Sequence, residues 1–473
     1  MTLPHDLTAM RMAAAVRARE LSPVEITDHY LDRIERLNPQ VGAYVTVTAE
    51  RARQEARAAE KAALDLPPDE LAPLHGVPVP IKDLNMVNGV RMTFGSAVFT
   101  DLTGFADDNV VSLLRQAGSV LLGKTTTPEF GLPCYTESAV APAARTPWDL
   151  ERSAGGSSGG AAAAVAAGLA PIAQGSDGGG SIRIPSSVCG LFGIKPTRGR
   201  VSQGPIIPDL FGLSTNGPIA RSVRDAALML DVMSGPMPGD IYLAPPVEGT
   251  FLAHADRPPG RLRIARGAQP AVAGAEVHPH CLAAYEEASA LLEELGHEVV
   301  ELPPVFGPEL VPHFELLWGV MATLTPVPRE REHLLQPLTR WLREKGFATS
   351  APQLFEAHAA LQGALRSAFP VTDRFDAILH PTLALPPAPV GHFHDQEPEE
   401  NFARQKDFTP FCAAYNISGQ PAVNVPLHWS PDGLPIGVML AGRLGGEGTL
   451  ISLAAQLEEA RPWIDRKPAI WDA

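Results

Sequence analysis

The chain has 473 residues, 45% of them hydrophobic and 19% charged, which is long and apolar enough to bury a large core. Its formal net charge of −15 excludes a general polyanion binder, so nucleic acid is not an expected partner. No apolar run has the length of a membrane-spanning helix, and MTLPHDLTAM lacks the basic start and apolar core of a secretory leader, so a cytoplasmic protein with no membrane partner is expected. Cys134, Cys189, Cys281 and Cys412 are far apart and form no C-x-x-C pair, which indicates buried thiols rather than a zinc site or a disulfide framework.

Apolar residues recur at helical spacing from Leu7 to Val16. The next helix is better marked: Ser22 can cap it, Pro23 suits its first position and Glu25 completes a capping box, with an end expected near Asn38-Pro39. Residues 49 to 64, rich in Ala, Arg, Glu and Lys, predict a third helix with a solvated charged face. A proline cluster at 67 to 80 leads into HGVPVPIKDL, where the apolar run before Lys82 predicts a short strand. Val110 to Leu122 predicts a helix and then a short strand ending at Gly123.

From Ser153 to Pro196 the chain reads SAGGSSGGAAAAVAAGLAPIAQGSDGGGSIRIPSSVCGLFGIKP. Residues 158 to 168 have the small side chains of a tightly packed buried helix, and Pro171 to Gln174 predicts a buried strand. Ser157 and Ser181 therefore fall in glycine-rich loops at element ends. Glycine is costly inside regular elements, so GGSSGG and GGGS mark backbone that approaches something closely rather than local stability. The turn before Ser181 can aim several N–H groups at one anionic oxygen, and a hydroxyl at its end is well placed for nucleophilic attack. Such a serine needs a base, and a lysine serves if burial lowers its pKa from about 10.4 toward neutrality. Lys82 taken alone reads as a surface lysine; the paired serine loops raise it to a candidate base.

Further on, Ile194 to Ser202 predicts a strand and turn, and Ser222 caps a helix through Met233. Residues 234 to 260 carry many Pro and Gly and predict a linker or long loop. Arg261 to Arg266, Pro279 to Leu295 with Gly296 as its stop, and His297 to Leu302 form a βαβ-like unit. Residues 303 to 370 read as helical with proline breaks, Phe375 to His380 as a buried strand, and 383 to 401, with its acidic DQEPEE, as an exposed loop. Alternating strands and helices argue for an α/β architecture. His75 is read as structural, and the pairs His278/His280 and His392/His394 lack the companion ligands of a metal site.

Lys82 in GVPVPIKD, Ser157 in GGSSGG and Ser181 in GSDGGGSIRIP, spaced by 75 and 24 residues, together resemble the Ser-Ser-Lys triad of the amidase signature family. The resemblance also covers SPVEITDHYLDRIERLNP, LFGIKPTRGRVS, NGPIARSVRDAALML and YNISGQPAVNVPLHWSPDGLPIGVMLAG, and it is weak between about 240 and 407. It implies one domain over 1–473: a central twisted mixed β-sheet with helices on both sides, a signature core at about 70–235, a variable substrate-covering region at about 240–407 and a return to the core at 408–473. It further implies an acyl-serine amidase in which Ser181 is the nucleophile, Ser157 the proton bridge and Lys82 the base. The N–H groups of Gly178, Gly179, Gly180 and Ser181 would receive the oxyanion, and a cis peptide would join Gly156 to Ser157. Ser158 either tunes Lys82 or satisfies local backbone; Asp177 and Arg183 either touch substrate or pair to hold the loop.

No metal or organic cofactor is implied, and the expected partners are a small amide and water, with the chain a monomer or homodimer. GSDGGGSIRIP resembles a branch of stand-alone bacterial amidases that includes 6-aminohexanoate cyclic-dimer hydrolases. The alternatives are the glutaminase subunit of a tRNA-dependent amidotransferase, against which Gly178 and Ile184 argue, and a catalytically silent binding protein, against which the retained triad argues.

Overall fold

A computed structural model describes residues 3–208, 210–303 and 305–473. Eleven strands are found among them: β1 (Tyr44–Val47), β2 (Pro78–Lys82), β3 (Val120–Thr125), β4 (Ile172–Asp177), β5 (Phe192–Lys195), β6 (Thr215–Ala220), β7 (Arg263–Arg266), β8 (Glu298–Glu301), β9 (Ala377–Pro381), β10 (Ala422–Trp429) and β11 (Pro435–Gly442). Eight form one mixed sheet in the order β4-β6-β5-β10-β11-β9-β7-β8, flanked by helices; β7 runs parallel to both neighbours and the other pairs are antiparallel. The α/β class and the mixed sheet are as expected.

One feature of the sheet differs from expectation. β1, β3 and β2 form strand ladders only with one another, as a separate three-stranded sheet. Where β2 faces β4, a side chain replaces the ladder: the Lys82 N–H donates to Gln174 Oε1 (2.8 Å), and Gln174 Nε2 donates to Asn85 Oδ1 and Asn216 Oδ1 (both 2.9 Å). A buried primary amide with both ends paired joins the two sheets without an unpaired polar group.

The first long helix, Pro23–Val41, has the expected capping box, but continues past Asn38-Pro39. It stops at Gly42, which takes a left-handed φ of 67°. Asn38 then exchanges two hydrogen bonds with the Tyr44 backbone and launches β1, a strand too short to read in the sequence. β3 likewise runs two residues beyond Gly123.

The alanine-rich segment forms the helix Gly159–Ala166, buried on every side. A Cβ on Gly160 would lie 2.4 Å from the Thr126 nitrogen and 2.5 Å from the Ala43 oxygen, so only glycine lets the helix lie this close to the smaller sheet. One contiguous apolar core then runs from Ala9 to Trp463.

Two loop expectations need correction. Within 234–260, Phe251–Ala255 is a short helix capped by Thr250, and Asp231 accepts the N–H groups of Phe251 and Leu252. Within 383–401, Leu383, Ala384, Ala388 and Phe393 are buried, Phe393 stacking on Tyr135, and a helix begins at Pro398. The prolines and acids there obscured apolar residues that pack inward.

Candidate active site

Lys82 ends β2 and is fully buried. Its Nζ lies 2.8 Å from Ser157 Oγ and 3.0 Å from Ser176 Oγ, and donates to the Ser176 carbonyl at 3.1 Å. No carboxylate among the described residues pairs with it, because the adjacent Asp83 points to Lys124 (2.8 Å) and accepts from the Thr93 N–H and hydroxyl. Burial pulls Lys82 down from 10.5 to about 7, opposed in part by the charge of Asp177. The amine is therefore poised between its charged and neutral forms near neutrality.

Ser157 follows a cis Gly156–Ser157 peptide and is buried. A Cβ on Gly156 would sit 2.7 Å from the Tyr135 backbone, so that turn has room only for glycine. The Thr127 hydroxyl holds the Ser157 carbonyl (3.0 Å), and the Ser158 N–H donates to the Ser181 carbonyl (3.2 Å), tying the two serine loops together. Ser158 Oγ does not reach Lys82. It donates to the Ser176 carbonyl and accepts from the Ser176 N–H, which is the local backbone role. Ser176, not Ser158, is the second serine in contact with Lys82 beside Ser157; nothing in QGSD distinguished it from an ordinary strand serine.

Asp177 and Arg183 form a buried ion pair, Arg183 Nη2 lying 2.9 Å from Asp177 Oδ1 and Nε 3.0 Å from Oδ2. The same carboxylate accepts the N–H groups of Gly180 (2.7 Å) and Ile182 (3.1 Å), while Asn416 Nδ2 holds both the Asp177 carbonyl and its Oδ1. Burial alone would raise Asp177; the charge and hydrogen bonds of Arg183, the charge of Lys195 and the Asn416 bond outweigh it and hold the group well below the usual carboxylate range. The pair is thus an anchor for the turn rather than a substrate contact.

The anchor also changes the expected oxyanion set. The Gly180 N–H is consumed by Asp177, with φ 130° and a position where a Cβ would meet Cys412 at 2.7 Å. The N–H groups of Gly178, Gly179 and Ser181 have no partner among the described residues.

Ser181 lines a cleft of about 910 Å³, part of it open to solvent, and its Oγ makes no hydrogen bond to a described residue. The apolar wall comprises Leu132, Leu310, Phe314, Trp318, Phe402 and Ile417. A Cβ on Gly178 would lie 3.6 Å from Trp318 Cη2, so the indole rests against the glycine turn itself. Trp318 belongs to the helix Val311–Met321, inside the variable region expected to cover the substrate, where no individual residue was singled out. His75 bonds the Ala59 carbonyl (2.8 Å), a structural role, and no cluster of potential metal ligands and no helix long and apolar enough to cross a membrane occurs among the described residues.

A buried lysine within hydrogen-bond reach of a serine, beside a glycine turn that presents a second serine to an apolar cleft, is the layout of a serine amidohydrolase. The amidase family model matches residues 25–451, and the chain belongs to this family. It is an amidase, a hydrolase of carbon–nitrogen bonds other than peptide bonds, working through an acyl-serine. Among its relatives, the putative amidase AmiB2 of Mycobacterium tuberculosis is 41% identical over 97% of this chain and 98% of that one. The 6-aminohexanoate-cyclic-dimer hydrolase of Paenarthrobacter ureafaciens is 35% identical over 98% and 96%. A solved structure of a 6-aminohexanoate cyclic dimer hydrolase superposes with a TM-score of 0.92 at 31% identity, covering 99% of this chain and all of that one.

Proposed function

We propose that this amidase hydrolyses a small neutral amide with Ser181 as nucleophile, Ser157 as proton bridge and Lys82 as base. The observation that carries this reading is the 2.8 Å contact of the buried Lys82 Nζ with Ser157 Oγ. The neutral amine directs hydrogens to Ser176 and its lone pair to the Ser157 hydroxyl. As Ser181 Oγ bonds to the carbonyl carbon, its proton passes to Ser157 Oγ and the Ser157 proton to Lys82. Collapse of the tetrahedral adduct breaks the C–N bond while the proton returns along the same path to the leaving amine. Water then attacks the acyl-Ser181 ester by the same relay and releases the acid.

The N–H groups of Gly178, Gly179 and Ser181 receive the oxyanion, each worth about 3 to 4 kcal/mol of barrier. The scheme uses no metal or organic cofactor. The chain is proposed to act as one domain without a second kind of subunit, as a monomer or homodimer, in the cytoplasm.

The test is ammonia or amine release by the purified chain from primary amides, anilides, cyclic and linear oligoamides and glutamine, with Ser181→Ala as control. Serine-dependent release from a non-glutamine amide is expected. Release from glutamine alone, and only with an added partner, would move the assignment to an amidotransferase subunit.

A further inference from the structure

Besides Ser181, the lining of the cleft carries the charged Lys406 and Glu315 and the polar Gln405 and Thr409, each already partnered within the protein, together with the Cys134 thiol and the Trp318 indole N–H. Gln405 Oε1 accepts the Cys134 N–H (2.8 Å), and its Nε2 donates to Asn401 Oδ1 (2.6 Å). Thr409 donates to the Gln405 carbonyl (3.2 Å), and Lys406 and Glu315 pair with each other at 2.6 Å. The remaining wall is aliphatic and aromatic, with Phe314 and Trp318 stacked at 5.3 Å between centroids and 26° between planes. Both rings lie against the glycine turn: a Cβ on Gly179 would be 3.6 Å from Phe314 Cζ and equally far from Trp318 Cη2.

A substrate group that extends into the cleft from a carbonyl held at that turn lies beside these two rings. A charge on that group would displace water and find no free counter-charge, whereas an apolar group gains burial.

We propose that the acyl group of the substrate is apolar and uncharged, aryl or alkyl, and that Trp318 is the residue that selects it. This rests on Ser181 as the reacting group. It excludes zwitterionic acyl groups such as that of glutamine, and acyl chains that end in a carboxylate. Selection works through shape and the cost of unpaired charge, because the two charged side chains of the cleft, Lys406 and Glu315, are paired with each other.

The test compares kcat/KM for hexanamide and phenylacetamide with that for adipamate, which carries a carboxylate at the far end of the same carbon chain, and for glutamine. A preference of about 100-fold or more for the uncharged pair is expected. Equal values, or preference for a charged substrate, overturn the proposal. In Trp318→Ala the ratio of kcat/KM for phenylacetamide to that for acetamide should fall by about tenfold or more; an unchanged ratio removes Trp318 as the selecting residue.

Calorimetric binding to Ser181→Ala separates this proposal from the nucleophile assignment. Tighter binding of phenylacetamide than of adipamate supports the apolar subsite even if that variant retains turnover, and equal binding overturns it.

Discussion

Residues 153–196 and the helices between 305 and 372 meet at the same cleft, yet they are built on opposite terms. In the first region, Ser157, Ser158, Asp177, Ser181 and Arg183 are all buried, and Asp177 alone fixes two N–H groups of the nucleophile turn while paired to Arg183 and Asn416. In the second, small clusters such as Leu310, Leu317, Ala357 and Leu361 hold the helices, and Phe347 and Phe355 stay 66% and 71% exposed. Chemistry needs atoms held to fractions of an ångström, which takes redundant polar bonding. Recognition of an apolar group needs only a wall of suitable shape.

The comparison predicts that single changes in the first region abolish turnover, whereas changes in the second redistribute it. The largest effect is expected from Ser181→Ala, which should lower kcat by about 10⁴-fold or more in an ammonia-release assay with unchanged folding. Lys82→Ala follows, with about 10³-fold loss.

The pH profile of the parent enzyme gives the same group a second signature. In the proposed scheme Lys82 acts as a base when neutral, and burial sets it at about 7, so kcat/KM should fall about tenfold per unit below that pH and level off above it. A profile flat through neutrality would break the assignment.

Third, Asp177→Asn leaves Arg183 buried without its counter-charge; a loss of about 3 to 5 kcal/mol in denaturant unfolding and about 10²-fold in kcat is expected. The smallest effect on turnover belongs to Leu361→Ala, a residue outside the cleft lining that packs behind Leu310 and Ile417 in the same satellite cluster. It should cost about 2 to 4 kcal/mol of stability while kcat for a small amide changes less than about twofold. A large catalytic loss there would show that the two regions are not separable in this way.

The same contrast explains what was legible in the sequence. Ser22 with Glu25, Ser222, and the Lys82, Ser157 and Ser181 loops announced themselves because capping and close backbone approach demand particular residue types at fixed offsets. Ser176 and Gln174 did not: their roles depend on strands brought together by the fold, and a buried strand serine or glutamine has no local signature. The Gly180 N–H was misassigned for a related reason, since Asp177, three residues earlier, can turn back onto it only once Arg183 and Asn416 fix the carboxylate. Trp318 lay in a stretch read as broken helix within the expected substrate-covering region but was not singled out, because an apolar side chain in a cleft wall looks like any core residue until the neighbouring glycines are in place.

The amide of Gln174 spans the seam between β2, which ends in Lys82, and β4, which leads into the Ser181 turn. The Lys82 backbone N–H is therefore protected by a rotatable group and not by a ladder, although it sits in the protein interior. Deuterium uptake at that single amide should run ahead of its neighbours in β2, making it a built-in gauge of how often the two sheets part. Each such parting also changes the spacing between Lys82 on β2 and Ser176 on β4, so the isotope clock at one backbone position reads out how long the polar shell around the Lys82 amine stays assembled.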